Sequence, residues 1–209
     1  MDTIPAVLSI AAAITLGAMS PGPSFLMVAR AAIARSRADG LAAALGMGVG
    51  GVLFACAALL GLHVVLIAVP WLYLVLKILG GAYLVFIGVM MWRGARKRVG
   101  VAEDERIARG RSWASSFSLA LLTQVSNPKA AVVYASVFVA LLPPEVPRWA
   151  MLVLPLVIFA IEAGWYAIVA LALSAPSPRA GYLRFKAGID RAAGTVMALL
   201  GLRLILATK

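Results

Sequence analysis

Six long apolar stretches take up most of this chain, and they limit its folding more than any other feature. Roughly 20 mostly apolar helical residues cross a bilayer core about 30 Å thick. By that measure the stretches run over about Ile4–Ala29, Gly40–Ala68, Pro70–Trp92, Ser115–Leu142, Trp149–Leu173 and Ile189–Ala207. Pro70 divides the second from the third, since proline cannot continue a helix interior. The stretches are continuously apolar and do not alternate, which argues against barrel strands. Composition agrees: 63% of the 209 residues are hydrophobic and only 13% are charged. A soluble domain is about half apolar and about a quarter charged, and a chain of this length has no interior to hold the excess. The expected class is an all-α polytopic membrane protein with six transmembrane helices. The first stretch has no cationic start and outruns the apolar core of a signal peptide, so it reads as a retained span.

The chain is also strongly basic, with a net charge of +11. The positions of the charges explain this. Nine of the eleven net positives fall in three places: after the first stretch (Arg30, Arg35, Arg37, Asp39), between the third and fourth (Arg93 to Arg111), and before the sixth (Arg179 to Arg191). The alternate connections, with Asp2, Glu145, Arg148 and Lys209, carry no net charge. Positive residues stay on the cytoplasmic side, which puts both termini outside. The same sorting removes nucleic acid as a partner and leaves anionic membrane lipid beside the 93–111 loop. Trp71, Trp92, Trp113 and Trp149 sit at expected span ends, where amphipathic rings prefer to lie. The lone Cys56 permits no internal disulfide.

Two halves of the chain echo each other. Ser20-Pro21-Gly22-Pro23 interrupts the first stretch and Ser126-Asn127-Pro128-Lys129 interrupts the fourth. Gly81 and Gly88 lie seven residues apart in the third stretch, as Gly194 and Gly201 do in the sixth. Three spans per half is an odd number, so the second half would insert upside down. Secondary transporters use this inverted-repeat plan, with the substrate site where helices are broken near the midplane. The expected organisation is one transmembrane domain, with repeats over 1–92 and 115–209 joined by a basic loop over 93–114.

These residues also resemble a known family. Pro21-Gly22-Pro23-Ser24 followed by an Arg-bearing turn and Gly40, the run from Leu76 through Gly81 to Gly88, and Asn127-Pro128-Lys129-Ala130 are similar to the LysE/RhtB amino-acid exporters. The likeness spans nearly the whole chain. It implies a small six-span exporter of amino acids or related metabolites in the bacterial cytoplasmic (inner) membrane, driven by the proton gradient. One departure stands out. The family reads Gly-Asp in the middle of the second span, and this chain has Gly50-Gly51.

Ionisable groups inside a bilayer are costly and mark function by default. Four fall within the stretches: Lys77, Lys129, Glu162 and Arg203. Lys77 and Arg203 lie near outer ends, where long side chains reach water. Lys129 and Glu162 lie mid-span. A carboxylate balanced between burial and a nearby lysine can load and unload protons. Trp165 and Tyr166 follow Glu162 by three and four residues and share its helical side, where aromatic rings could hold a substrate ammonium. Lys129, beside Asn127 and Pro128, could meet a substrate carboxylate, aided by backbone groups freed around Pro21, Gly22, Pro23 and Ser24. Gly46 and Gly50, with Ala42 one turn earlier, form a small-residue packing seam.

No phosphate loop, nucleophile elbow or metal-ligand spacing is present, and the lone His63 makes no metal site. The expectation is therefore not an enzyme, with no cofactor and no metal. It is a secondary exporter of a small zwitterion, with protons as coupling partner and a homo-oligomer as an open outcome. The alternatives are a passive small-solute channel and a non-transporting assembly subunit.

Overall fold

The structure is a computed structural model, and it describes residues 3–20, 22–68, 70–95, 112–143, 145–174 and 176–206. Pro21 and the greater part of the basic loop, 96–111, lie outside the described residues, as does the Lys77 side chain. Among the described residues all regular structure is helical. The helices are α1 (Thr3–Met19), α2 (Pro23–Ala34), α3 (Arg37–Ala68), α4 (Pro70–Gly94), α5 (Trp113–Val125), α6 (Pro128–Leu141), α7 (Arg148–Leu173) and α8 (Pro176–Leu206).

Both predicted breaks occur. α1 and α2 meet at a bend of 58°, and α5 gives way to α6 between Val125 and Pro128. In each case proline opens the new helix at its first position, where its missing N–H costs nothing and its fixed φ suits the turn. Pro155 sits inside α7 without ending it.

Two helical stretches, Arg37–Gly61 and Arg148–Leu173, are each long and apolar enough to cross a membrane. α1 and α2 together make a third if the bent pair counts as one crossing. The described apolar parts of the other candidates are shorter: Ile78–Gly94, Pro128–Leu141 and Gly194–Arg203. The outer surface suits lipid. Leu152, Leu156 and Leu206 are 71%, 69% and 77% exposed, an arrangement that water would penalise at every side chain.

Several helices overrun the apolar stretches. α3 begins at Arg37 because Ser36 caps it: Ser36 Oγ accepts from Asp39 N at 3.1 Å, as an N-cap hydroxyl does, and donates to Asp39 Oδ2 at 2.7 Å. α8 starts at Pro176, thirteen residues before the expected Ile189, since nothing after Pro178 breaks a helix. That extension carries the basic residues that preceded the sixth stretch.

Glycine sets how closely the helices approach. α4 and α8 cross antiparallel: Gly88 lies against the Gly194 carbonyl, and Gly81 against that of Gly201. α3 lies antiparallel to α7, with Gly40 against Ala170 and Gly48 against Ala163 and Phe159. Its other side packs on α5, where Gly46 meets Phe117 and Ala120, and Gly50 meets Gln124. This is the seam anticipated for Gly46 and Gly50. At one end Ser116 Oγ on α5 donates to Asp39 Oδ1 at 2.6 Å and accepts from Arg35 Nη1 at 3.0 Å, tying α2, α3 and α5 together.

The buried side chains form two clusters. One gathers Ile10, Ile14, Leu84, Val137, Phe138, Ile158 and Met197. The other gathers Phe25, Val28, Ala43, Met47, Tyr166 and Val169. The polar cavity lies between them.

Candidate functional site

The two helix breaks converge. Asn127 occupies the position before α6, and its side-chain oxygen accepts from Lys129 N at 3.0 Å. Such caps contribute about 1 kcal/mol to a helix, and this one has a further effect. With Oδ1 spent on the backbone, Asn127 Nδ2 donates to Ser24 Oγ, at 2.9 Å. Ser24 Oγ in turn donates to Gln124 Oε1 at 2.5 Å. Ser24 is 5% exposed, Gln124 2% and Asn127 5%, so this relay is buried and links α2 to both sides of the second break.

Lys129 lies across the first break. Its Nζ donates to the Ser20 carbonyl at 3.3 Å. A Cβ added to Gly22 would stand 3.6 Å from Lys129 Cδ and Nζ. A side chain there would therefore be in ordinary contact with the lysine stem, and Gly22 has φ at −155° in ordinary extended backbone.

Glu162 projects from the middle of α7 and is 3% exposed. Tyr134 Oη on α6 donates to its Oε1 at 2.9 Å. Its second oxygen, Oε2, has no hydrogen-bond partner among the described residues, leaving a place for a proton or an ammonium. Room for the side chain comes from α3. A Cβ on Gly51 would lie 2.9 Å from Tyr134 Oη and 3.0 Å from Glu162 Cγ. Its neighbour Gly50 gives the same clearance to Gln124. The Gly50-Gly51 pair therefore admits an amide on one side and a carboxylate on the other.

Ser20, Gly22, Ser24, Gln124, Asn127, Lys129, Tyr134 and Glu162 line one cavity of about 30 Å³, with Ile14, Gly17, Ala18, Ala130, Val133 and Tyr166 as its remaining walls. That volume holds about two waters. An amino acid enters only when the walls part. A larger recess of about 620 Å³ lies between α3, α4 and α6, but its lining is apolar apart from Ser136 and the Tyr83 phenol. It offers no pair of charges for a zwitterion.

The structure brings together Glu162, Lys129, Asn127, Ser24, Gly22 and Tyr166 from the expected set. Pro23 and Pro128 shape the site as first residues of their helices, and both side chains are exposed. Trp165 does not line the cavity; it packs against the cluster around Phe25 and Tyr166. Lys77 belongs to α4, a helix with no residue in the cavity wall. Sequence reasoning missed Gln124 and Tyr134. A search for ionisable groups passes over a buried amide and a phenol. Their polarity within apolar stretches, three residues before Asn127 for Gln124 and five after Lys129 for Tyr134, was the available signal.

The cavity thus lies where two proline-opened helices meet. The profile of the LysE type translocators matches residues 15–208. A threonine efflux protein of Salmonella typhi is 36% identical over 191 residues, covering 90% of this chain and 91% of its own. The threonine efflux protein of Escherichia coli K12 is 35% identical over the same shares. A leucine efflux protein of Salmonella choleraesuis is 28% identical over 61% of this chain and 59% of its own. No solved structure matches. Chain-long agreement with the family profile and with these efflux proteins identifies a transporter and not an enzyme: the chain belongs to the LysE type translocator family, as a multi-pass helical protein of the inner membrane.

Proposed function

We propose that the protein is a secondary exporter of an amino acid or similarly small zwitterion, coupled to protons and working by alternating access. The observation that carries this is the cavity itself. Lys129 and Glu162, charges of opposite sign and partly or fully buried, face one small space at the helix breaks. A zwitterion satisfies both, with its carboxylate toward Lys129 and its ammonium toward Glu162 Oε2.

Six spans are proposed: α1 with α2, α3, α4, α5 with α6, α7 and α8. The pairing of helices supports two inverted halves. α3 runs antiparallel to α7 and α4 to α8; α2 runs antiparallel to α5, since Ser24 meets Gln124 and Arg35 meets Ser116. Each of these pairings is antiparallel, the relation that a two-fold axis in the membrane plane would give to corresponding helices. With positive loops inside, both termini face outward and the Arg35–Ser116–Asp39 cluster lies at the cytoplasmic end. Exposed Arg93, beside Trp92 and Arg191, is placed to meet anionic lipid there.

Proton coupling rests on Glu162, which exchanges a proton for a substrate ammonium as the cavity opens to one side and then the other. A passive channel is disfavoured by a cavity that holds about two waters. Everted vesicles with an imposed proton gradient provide the test. Wild-type protein drives uphill amino-acid uptake into such vesicles. Glu162→Gln, at normal membrane level, abolishes the gradient-driven part. Full gradient-driven uptake in that variant refutes the assignment, and downhill movement alone in the wild type favours the channel.

A further inference from the structure

We propose that the Arg35–Ser116–Asp39 cluster is the inner gate of the transporter, a polar latch that opens each time a substrate enters the cavity from the cytoplasm. This rests on the exporter reading and the orientation given with it, and adds which contact closes that side.

The latch sits on the way in. Arg35 comes eleven residues after Ser24, at the end of α2, and Ser116 eight residues before Gln124, near the start of α5. At about 1.5 Å per helical residue, the cluster stands roughly 12–16 Å beyond the cavity relay. α2 and α5 are thus tied at two levels, by Ser24 and Gln124 at the cavity and by Arg35 and Ser116 at the end. Asp39 adds α3, with Oδ1 taken by Ser116 and Oδ2 by Ser36. By their positions along their helices, Phe25, Val28, Ala43, Met47, Ala120 and Val169 fill the space between the two levels. A molecule passing from the cytoplasm to the cavity must therefore part α2 from α3 and α5.

Packing explains why this end needs a latch. Of the thirteen buried side chains described in that cluster, seven are alanine, against two of fifteen in the other. Alanine buries little apolar area and makes few dispersion contacts, so these helices separate at less cost than helices interlocked by larger side chains. Polar contacts supply the remaining hold, and they are reversible. Arg35 and Asp39 are half-buried and Ser36 is exposed, so water at that end can take over the charged groups as the helices part. Ser116 itself is fully buried. Its one hydroxyl donates to Asp39 and accepts from Arg35, so a small movement of α5 releases both partners together.

Cys56 is the one cysteine of the chain, so in a Cys56→Ser background thiol chemistry reports on introduced positions alone. Ala18→Cys places a thiol in the cavity wall. A charged, membrane-impermeant thiol reagent is added to everted vesicles, which present the cytoplasmic face, and to right-side-out vesicles, which present the other. Ser116→Ala raises the labelling rate from the cytoplasmic face by about 10-fold, since lost hydrogen bonds to charged groups shift the population toward the open form; it does not raise the rate from outside. A second variant works in the opposite sense and does not depend on the first: Arg35→Cys with Ser116→Cys, joined by a short cleavable bifunctional reagent. Joining the two thiols stops amino-acid uptake into everted vesicles, and reductive cleavage restores it. Uptake that continues at the unjoined rate makes the cluster a structural tie and overturns the gate. A labelling rate that Ser116→Ala leaves unchanged, or raises only from outside, also overturns it. Labelling that follows the expected pattern in a chain that moves no amino acid leaves the gate standing and fails the exporter reading instead.

Discussion

The same substitution, glycine to alanine, is expected to have opposite signs at two places in this protein. At Gly88 an added Cβ would press on the Gly194 carbonyl and stand 2.9 Å from both Ala198 N and Ala198 Cβ. Carbon contacts are comfortable at roughly 3.5–4.0 Å, so α4 and α8 must part by roughly 0.6 Å or more, the shortfall between those distances. The opposing atoms are backbone and a Cβ, none of which can rotate aside. Overpacking of this kind costs about 1–3 kcal/mol. At Gly164, exposed on α7, an added Cβ meets nothing within 4 Å. There alanine only restricts the unfolded backbone and gains about 0.5–1 kcal/mol. At roughly 2–4 °C per kcal/mol for a chain of this size, Gly88→Ala lowers the Tm by about 2–12 °C and Gly164→Ala raises it by about 1–4 °C. Thermal unfolding of the purified protein in detergent, followed by tryptophan fluorescence, reads both. Gly194→Ala placed on top of Gly88→Ala should add less than it costs alone, because the helices have already separated. Shifts of the same sign at Gly88 and Gly164, or additive losses at Gly88 and Gly194, would refute the close antiparallel seam.

Two further outcomes follow from single contacts. Asn127→Ala removes both the α6 cap and the donor to Ser24; it should cost about 1–2 kcal/mol in thermal stability and lower amino-acid transport. Asn127→Asp keeps the cap but not the donor, so it recovers stability more than transport. Ser116→Ala separates Asp39 from Arg35. It is expected to cost about 1–3 kcal/mol, seen as a lower Tm, whereas Ser118→Ala, an exposed change two residues along on the other side of the same helix, moves it little.

The sequence disclosed what backbone chemistry enforces. Prolines at 23 and 128 suit first helical positions and follow residues that favour turns, so both breaks were visible, as was the division at Pro70, while Pro155 continues its helix and shows that proline alone does not set a break. The glycines at 81, 88, 194 and 201 were visible as a repeat, but not that 88 would meet 194 and 81 would meet 201. That is a fact about the register of two helices distant in sequence. Glu162 and Lys129 stood out because charge is rare at such depth. Gln124 and Tyr134 did not, because uncharged polar residues there are common enough to pass without remark. Their roles depend on which neighbour receives the proton, and that neighbour lies about a hundred residues away for Gln124 and twenty-eight for Tyr134. Trp165 and Tyr166 show the limit of helical spacing. They are adjacent in sequence, about 100° apart around the helix, and only Tyr166 reaches the cavity.

The buried relay has its members on separate parts of the chain: Ser24 comes before the 96–111 segment, Gln124 and Asn127 after it. A ligand can shift a conformational equilibrium only by as much as its affinities for the two states differ. Walls drawn from both parts supply that difference. Moving one part against the other stretches some polar contacts to a bound molecule and spares the rest. In the proposed exporter, occupancy and shape would then be linked without any separate sensor.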